Sequence, residues 1–124
     1  MAKIIDLKTF YEDSGNLTVI EKELPFRIQR IFYIYSVDNS TRGKHRHKKT
    51  RQFLLAVKGS CKVYNKASAT DPLECFTLDS PSKALLVEPE DWHYMESFTA
   101  DCILQVFAST TFDPDDYIYE AYPE

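Results

Sequence analysis

Arg42-Gly43-Lys44-His45-Arg46-His47-Lys48-Lys49-Thr50-Arg51-Gln52, followed by the apolar run Phe53 to Val57 and then Gly59, is the stretch on which the reading of this chain turns. Two of the three histidines stand here, two residues apart. On a strand, residues i and i+2 point to the same side. His45 and His47 therefore aim their imidazoles into one shared space, and Lys44, Arg46 and Lys48 face the other way. Such a pair is either half of a metal site or a pair of acid–base groups.

Outward from this stretch the chain reads as short strands parted by turn signals. Toward the N-terminus, Arg27 to Val37 is the longest β signal. It carries Ile31, Tyr33, Tyr35 and Val37 on one face and Ile28, Phe32 and Ile34 on the other. Apolar residues on both faces predict a strand covered by the core on one side and by a partner subunit on the other. Before it, Ile4 to Leu7 and Leu17 to Glu21 read as strands, separated by the turn cluster Tyr11 to Asn16. Asp38 to Thr41 is a loop. Beyond the histidines, Phe53 to Val57 and Cys61 to Tyr64 form a hairpin through Lys58-Gly59-Ser60. Further strands are expected at Leu73 to Leu78, Ala84 to Val87, Trp92 to Met95 and Cys102 to Ala108, with the acidic tail from Thr110 either forming a helical turn or packing on the surface. No run of apolar residues follows helical spacing, so the expectation is an all-β sandwich or barrel. At 124 residues, it is a single domain spanning 1–124.

Composition narrows the function. A formal charge of −4 argues against nucleic acid as a partner. Six of the fifteen basic residues nevertheless fall between Arg42 and Arg51, which leaves room for a local anion site. Three scattered cysteines predict free thiols in a reducing cytoplasm. No apolar run reaches the roughly 20 residues a membrane span needs, and the N-terminus has no signal-peptide core.

The spacing His45-x-His47, then Gln52, then Gly59 resembles the first motif of the cupin superfamily, which implies a jelly roll (a double-stranded β-helix, RmlC-like). In metal-binding cupins the position of Gln52 is a glutamate and a third histidine comes from a later strand, here His93. A neutral amide is a weak ligand for a transition metal, and the surrounding cations repel one. The reading therefore favours proton transfer, with no metal and no cofactor. An imidazole with a pKa near 6.5 can take and return a proton at neutral pH. Arg42 and Arg51 could grip a diphosphate, because guanidinium binds phosphate oxygens in a fork. Trp92 offers a face for a base.

A more specific resemblance spans nearly the whole chain. Arg42-Gly43-x-His45-x-His47-Lys48 through Gln52, Pro81 to Pro89 with Trp92-His93, Asp115-Asp116-Tyr117-Ile118, Gly15 to Glu21 and Arg30 to Tyr35 are similar to the WxcM-like sugar-nucleotide 3,4-ketoisomerases. The resemblance implies a metal-independent isomerase that converts dTDP-4-keto-6-deoxyglucose to a 3-keto sugar, on the way to 3-amino-3,6-dideoxyhexoses. It carries catalytic roles to His47, His45 and Tyr33, with His47 favoured as base, and a substrate-binding role to Arg42. Lys48, Arg51, Gln52, Trp92 and His93 are expected to complete the substrate site. A homodimer with exchanged N-terminal strands is also implied. Two positions depart from the family pattern: Ser14 where many relatives carry arginine, and Arg46 where alanine is usual. Competing readings are a metal-dependent cupin, a sugar-nucleotide 3,5-epimerase and a nucleotide-sugar-binding module without catalysis.

Overall fold

The computed structural model describes residues 1–123. Alternating and β-branched stretches build twelve strands. β1 (Lys3–Asp6), β2 (Lys8–Glu12), β3 (Gly15–Val19) and β4 (Arg30–Tyr35) precede the histidine strand β5 (Arg42–His47). β6 (Gln52–Lys58), β7 (Cys61–Lys66), β8 (Glu74–Leu78), β9 (Lys83–Val87), β10 (Trp92–Glu96) and β11 (Ile103–Ala108) follow. A 3₁₀ turn (Pro114–Asp116) leads into the short β12 (Tyr117–Ile118). Asp113 caps that turn by accepting the Asp115 N–H, with Pro114 at its first position.

Two five-stranded antiparallel sheets face each other. One runs β1-β9-β6-β11-β4 and the other β12-β5-β10-β7-β8. Period-two alternation sends Leu54, Ala56, Leu85, Val87, Leu104 and Val106 of the first sheet inward. They meet Cys61, Val63, Leu78 and Met95 of the second. The all-β expectation holds. β6 is buried on both faces: Phe53 and Leu55 on its outer side, with Leu86 and Phe107, lie under Leu7, Ile20, Leu24 and Phe26 of the N-terminal segment. That double coverage explains its uninterrupted apolar run.

The N-terminal region differs from the sequence expectation. Lys8–Glu12 is a strand that pairs with β3, so Tyr11 and Glu12 belong to the strand and the turn narrows to Asp13 and Ser14. β4 is shorter than Arg27 to Val37 and ends at Ser36, whose φ is +56°. β4 is also the edge of its sheet. Phe32 and Ile34 pack on the core. Ile31, Tyr33 and Tyr35 are between 53% and 61% exposed on the other face of this single chain.

Candidate active site

The site begins with an irregularity in β5. His45 pairs with His93 on β10, but the next pair is Gly43 with Tyr94 and then Arg42 with Met95. Lys44 is therefore an extra residue, held at φ +65° beside Gly43 at φ +92°. A bulge of this kind re-aims the side chains that flank it. It brings Arg42 and His45, three positions apart, onto the same cavity wall beside Met95 and His93.

The cavity lies between the sheets and holds about 300 Å³. The first sheet supplies Arg30, Phe32, Ile34, Gln52, Leu54 and Val106. The second supplies Arg42, His45, His93 and Met95, and β12 closes the wall with Tyr117. The His45 ring lies edge-on to His47 and His93, with centroids 5.0 and 5.1 Å away. Tyr117 packs on both His45 (4.8 Å) and His47 (4.7 Å). The shared space expected for the paired imidazoles is only half realised: His45 lines the cavity together with His93, whereas the His47 ring does not reach its lining. His47 is 3% exposed and sits behind the His45 and Tyr117 rings.

Each imidazole has its own electrostatic setting. Burial, reinforced by His93 and His47, lowers His45 to about 3, so it is neutral at pH 7. Burial lowers His93 to about 4, although its Nδ1–H donates to the Asp91 carbonyl at 3.0 Å. Burial also lowers His47, but a hydrogen bond to Asp116 and that residue's charge push it back up, against Arg30. The His47 Nδ1–H donates to Asp116 Oδ2 at 2.9 Å, and Nε2 is buried with no hydrogen-bond partner among the described residues. Asp116 itself is 3% exposed. Burial opposes its ionisation, but hydrogen bonds from Thr50, the Lys49 N–H and His47 outweigh that and hold its pKa down. Among the described residues, no three His, Cys, Asp or Glu side chains are grouped as metal ligands.

Of the residues singled out by sequence, Arg42, His45, Gln52 and His93 line the cavity, with His47 directly behind. Tyr33 contributes to the wall, but its ring stacks on Tyr35 at 5.9 Å, on the exposed face of β4 opposite Phe32 and Ile34. The ring against the imidazoles is that of Tyr117. Arg51 turns away from the cavity: its guanidinium binds Glu88 at 2.8 Å and the Pro25 carbonyl at 3.0 Å. Lys48 is exposed beyond the end of β5. Trp92 lines a separate cleft with Lys66, Tyr94 and Tyr122, because it precedes His93 and alternation sends it outward. Arg46 also points outward, with its guanidinium over the Tyr122 ring at 4.8 Å, so its bulk leaves the cavity unchanged. Ser14 lies in the β2–β3 turn. Sequence reasoning missed Arg30, Asp116 and Tyr117. The Asp113-Pro114 cap did signal a turn there, but nothing local signalled that its last carboxylate would be buried.

Comparison with known proteins fits this architecture. The family model FdtA, described as WxcM-like, C-terminal, matches residues 1–123. The TDP-4-oxo-6-deoxy-alpha-D-glucose-3,4-oxoisomerase of Aneurinibacillus thermoaerophilus is 40% identical over 119 residues, covering 94% of this chain and 84% of that protein. A histidine-to-asparagine variant of the 3,4-ketoisomerase QdtA from Thermoanaerobacterium thermosaccharolyticum was solved in complex with TDP-4-keto-6-deoxyglucose. It superimposes with a TM-score of 0.90 at 38% identity, covering 96% of this chain and 87% of that one. The WlaRB TDP-quinovose 3,4-ketoisomerase from Campylobacter jejuni gives 0.90 at 33% identity, covering 96% and 92%.

Proposed function

Because the chain belongs to the FdtA family of WxcM-like proteins, we propose that it is a sugar-nucleotide 3,4-ketoisomerase acting on dTDP-4-keto-6-deoxyglucose. The observation that carries this is the set of neutral imidazoles bordering a cavity with unpaired guanidiniums at its walls. Neither Arg30 nor Arg42 forms an ion pair among the described residues, which suits an anionic ligand. About 300 Å³ lies at the small end for a ligand pocket. It suits one hexose ring, with the nucleotide extending past the rim.

The chemistry follows from the ketone. The carbonyl at carbon 4 acidifies the hydrogen on carbon 3. One of the paired histidines removes it, and the resulting enediolate is held by hydrogen-bond donors at the cavity wall. A proton passes between the two oxygens and carbon 4 is protonated, so the carbonyl moves to carbon 3 with no net gain or loss of atoms. His45, lowered to about 3 and therefore neutral, is suited to donate an N–H to the enediolate oxygen. Arg42 takes the diphosphate, Gln52 and His93 border the sugar, and Tyr33 stands at the outer wall. No metal or cofactor enters any step.

The homodimer with exchanged N-terminal strands belongs to the same reading. Its support is the bare face of β4 and the β2–β3 hairpin, which pairs with no other sheet and exposes Phe10, Tyr11 and Leu17. In the single chain β1 pairs with β9, the contact that an exchange would transfer to the partner. Three free cysteines, two of them buried, suit a reducing compartment, and a cytoplasmic site of action is part of the proposal.

The test is incubation with the 4-keto sugar nucleotide and NMR of the product. A 3-keto sugar is expected. Unchanged substrate, despite binding of dTDP, would favour a module without catalysis.

A further inference from the structure

The resemblance favours His47 as the base that takes the proton from carbon 3, and one buried carboxylate bears on how that ring is held. Asp116 is fixed by four groups. Its Oδ1 accepts the backbone N–H groups of Lys48 (3.1 Å) and Lys49 (2.8 Å). Its Oδ2 accepts the Thr50 hydroxyl and the His47 Nδ1–H. A carboxylate offers only acceptors. Its partner nitrogen must therefore carry the hydrogen, which leaves Nε2 as the bare, basic nitrogen of a neutral ring. That Nε2 is buried and has no hydrogen-bond partner among the described residues. His47 lies against His45 and Tyr117, which both line the cavity. Among the described residues, His45 has no carboxylate partner, and no hydrogen bond fixes its tautomer.

We propose that Asp116 is a positioning residue that holds His47 as the Nδ1–H tautomer and so makes His47 Nε2 the base for the substrate's carbon-bound proton. His45 is left as the hydrogen-bond donor. The inference rests on the ketoisomerase reading and deepens it. It assigns no contact between Asp116 and the substrate.

The substitution Asp116→Asn tests it, because the geometry dictates the outcome. The two backbone N–H groups at Oδ1 retain the amide oxygen on that side. The amide NH₂ then takes the Oδ2 position and presents hydrogens to His47 Nδ1. His47 must become the Nε2–H tautomer, with its one lone pair, at Nδ1, held by the amide. Long-range ¹H–¹⁵N correlation spectra of labelled protein report the tautomer directly. The wild type is expected to show Nδ1–H at His47 and the variant Nε2–H. Turnover number is expected to fall about 10²–10⁴-fold, with KM changed less than about threefold. Thr50→Val removes a different partner of the same carboxylate. It is expected to lower the melting temperature while His47 remains Nδ1–H, which separates tautomer control from general loosening.

An Nε2–H tautomer in the wild type overturns the proposal whether or not any variant folds. So does wild-type turnover that survives Asp116→Asn within about threefold after a demonstrated tautomer flip. A wild type that leaves the keto sugar unconverted overturns the ketoisomerase reading itself.

Discussion

Gly43→Ala should be among the most damaging single-methyl additions to this fold. Gly43 sits in the bulge at φ +92°, where an L side chain is strained. An alanine Cβ there would lie 3.1 Å from the His93 carbonyl oxygen and 3.2 Å from Tyr94 Cα, with Met95 Sδ at 3.5 Å. The first two are backbone atoms of β10 and cannot rotate aside, so β5 and β10 must separate by a few tenths of an ångström. The unfavourable backbone conformation costs about 1–2 kcal/mol, and forcing packed elements apart typically costs about 1–3 kcal/mol. The stiffer unfolded chain returns about 0.4–1 kcal/mol, which leaves a net loss of about 1–5 kcal/mol. For a chain of this size that corresponds to a melting temperature lower by about 4–20 °C. Circular dichroism melts and urea titrations of both proteins measure it. The same strand pair positions His45 against His93, so turnover should fall even in the folded fraction at 20 °C. A melting temperature within about 2 °C of wild type would show that the β5–β10 contact is looser than its geometry implies.

Other expectations follow from the same geometry. His93 and His45 are lowered to about 4 and about 3, below their unfolded value near 6.5. Their contribution to stability is therefore complete above pH 6.5 and is lost as pH falls toward the folded values. At pH 5 His93 alone should cost about 2 kcal/mol, and urea titrations of His93→Gln across pH 5–7.5 should show a shallower slope. Arg51→Ala breaks the Glu88 pair that ties down the segment at Pro25. It should lower the melting temperature by a few degrees and leave KM within about twofold, because Arg51 does not line the cavity; a tenfold rise in KM would restore it to the diphosphate site. Ile31→Arg places a charge on the bare face of β4, the face assigned to the proposed homodimer; light scattering should show a dimer for the wild type and a shift toward monomer for the variant. An unaltered dimer would put the interface elsewhere.

The contrast between Arg42 and Tyr33 shows what a sequence can reveal about such a site. Tyr33 rests on resemblance and Arg42 on its guanidinium as well, yet a strict two-residue alternation counted from His45 places Arg42 on the wrong face. The bulge at Lys44 reverses that parity. No propensity marks a lysine for φ +65°, although Gly43 beside it hints that the strand cannot run straight there. The same alternation, applied without interruption along β4, carries the Tyr33 ring to the outer face while Phe32 and Ile34 turn inward. The paired imidazoles were legible because their spacing is local. Asp116 was not, because it lies 69 residues from His47 and reaches it through the pairing of Tyr117 with His47 across β12 and β5. Burial then decides which polar groups matter. A carboxylate in an acidic tail reads as solvated until two strands close over it. Once they do, its charge must be met by N–H and O–H donors, and a histidine within reach becomes one of them.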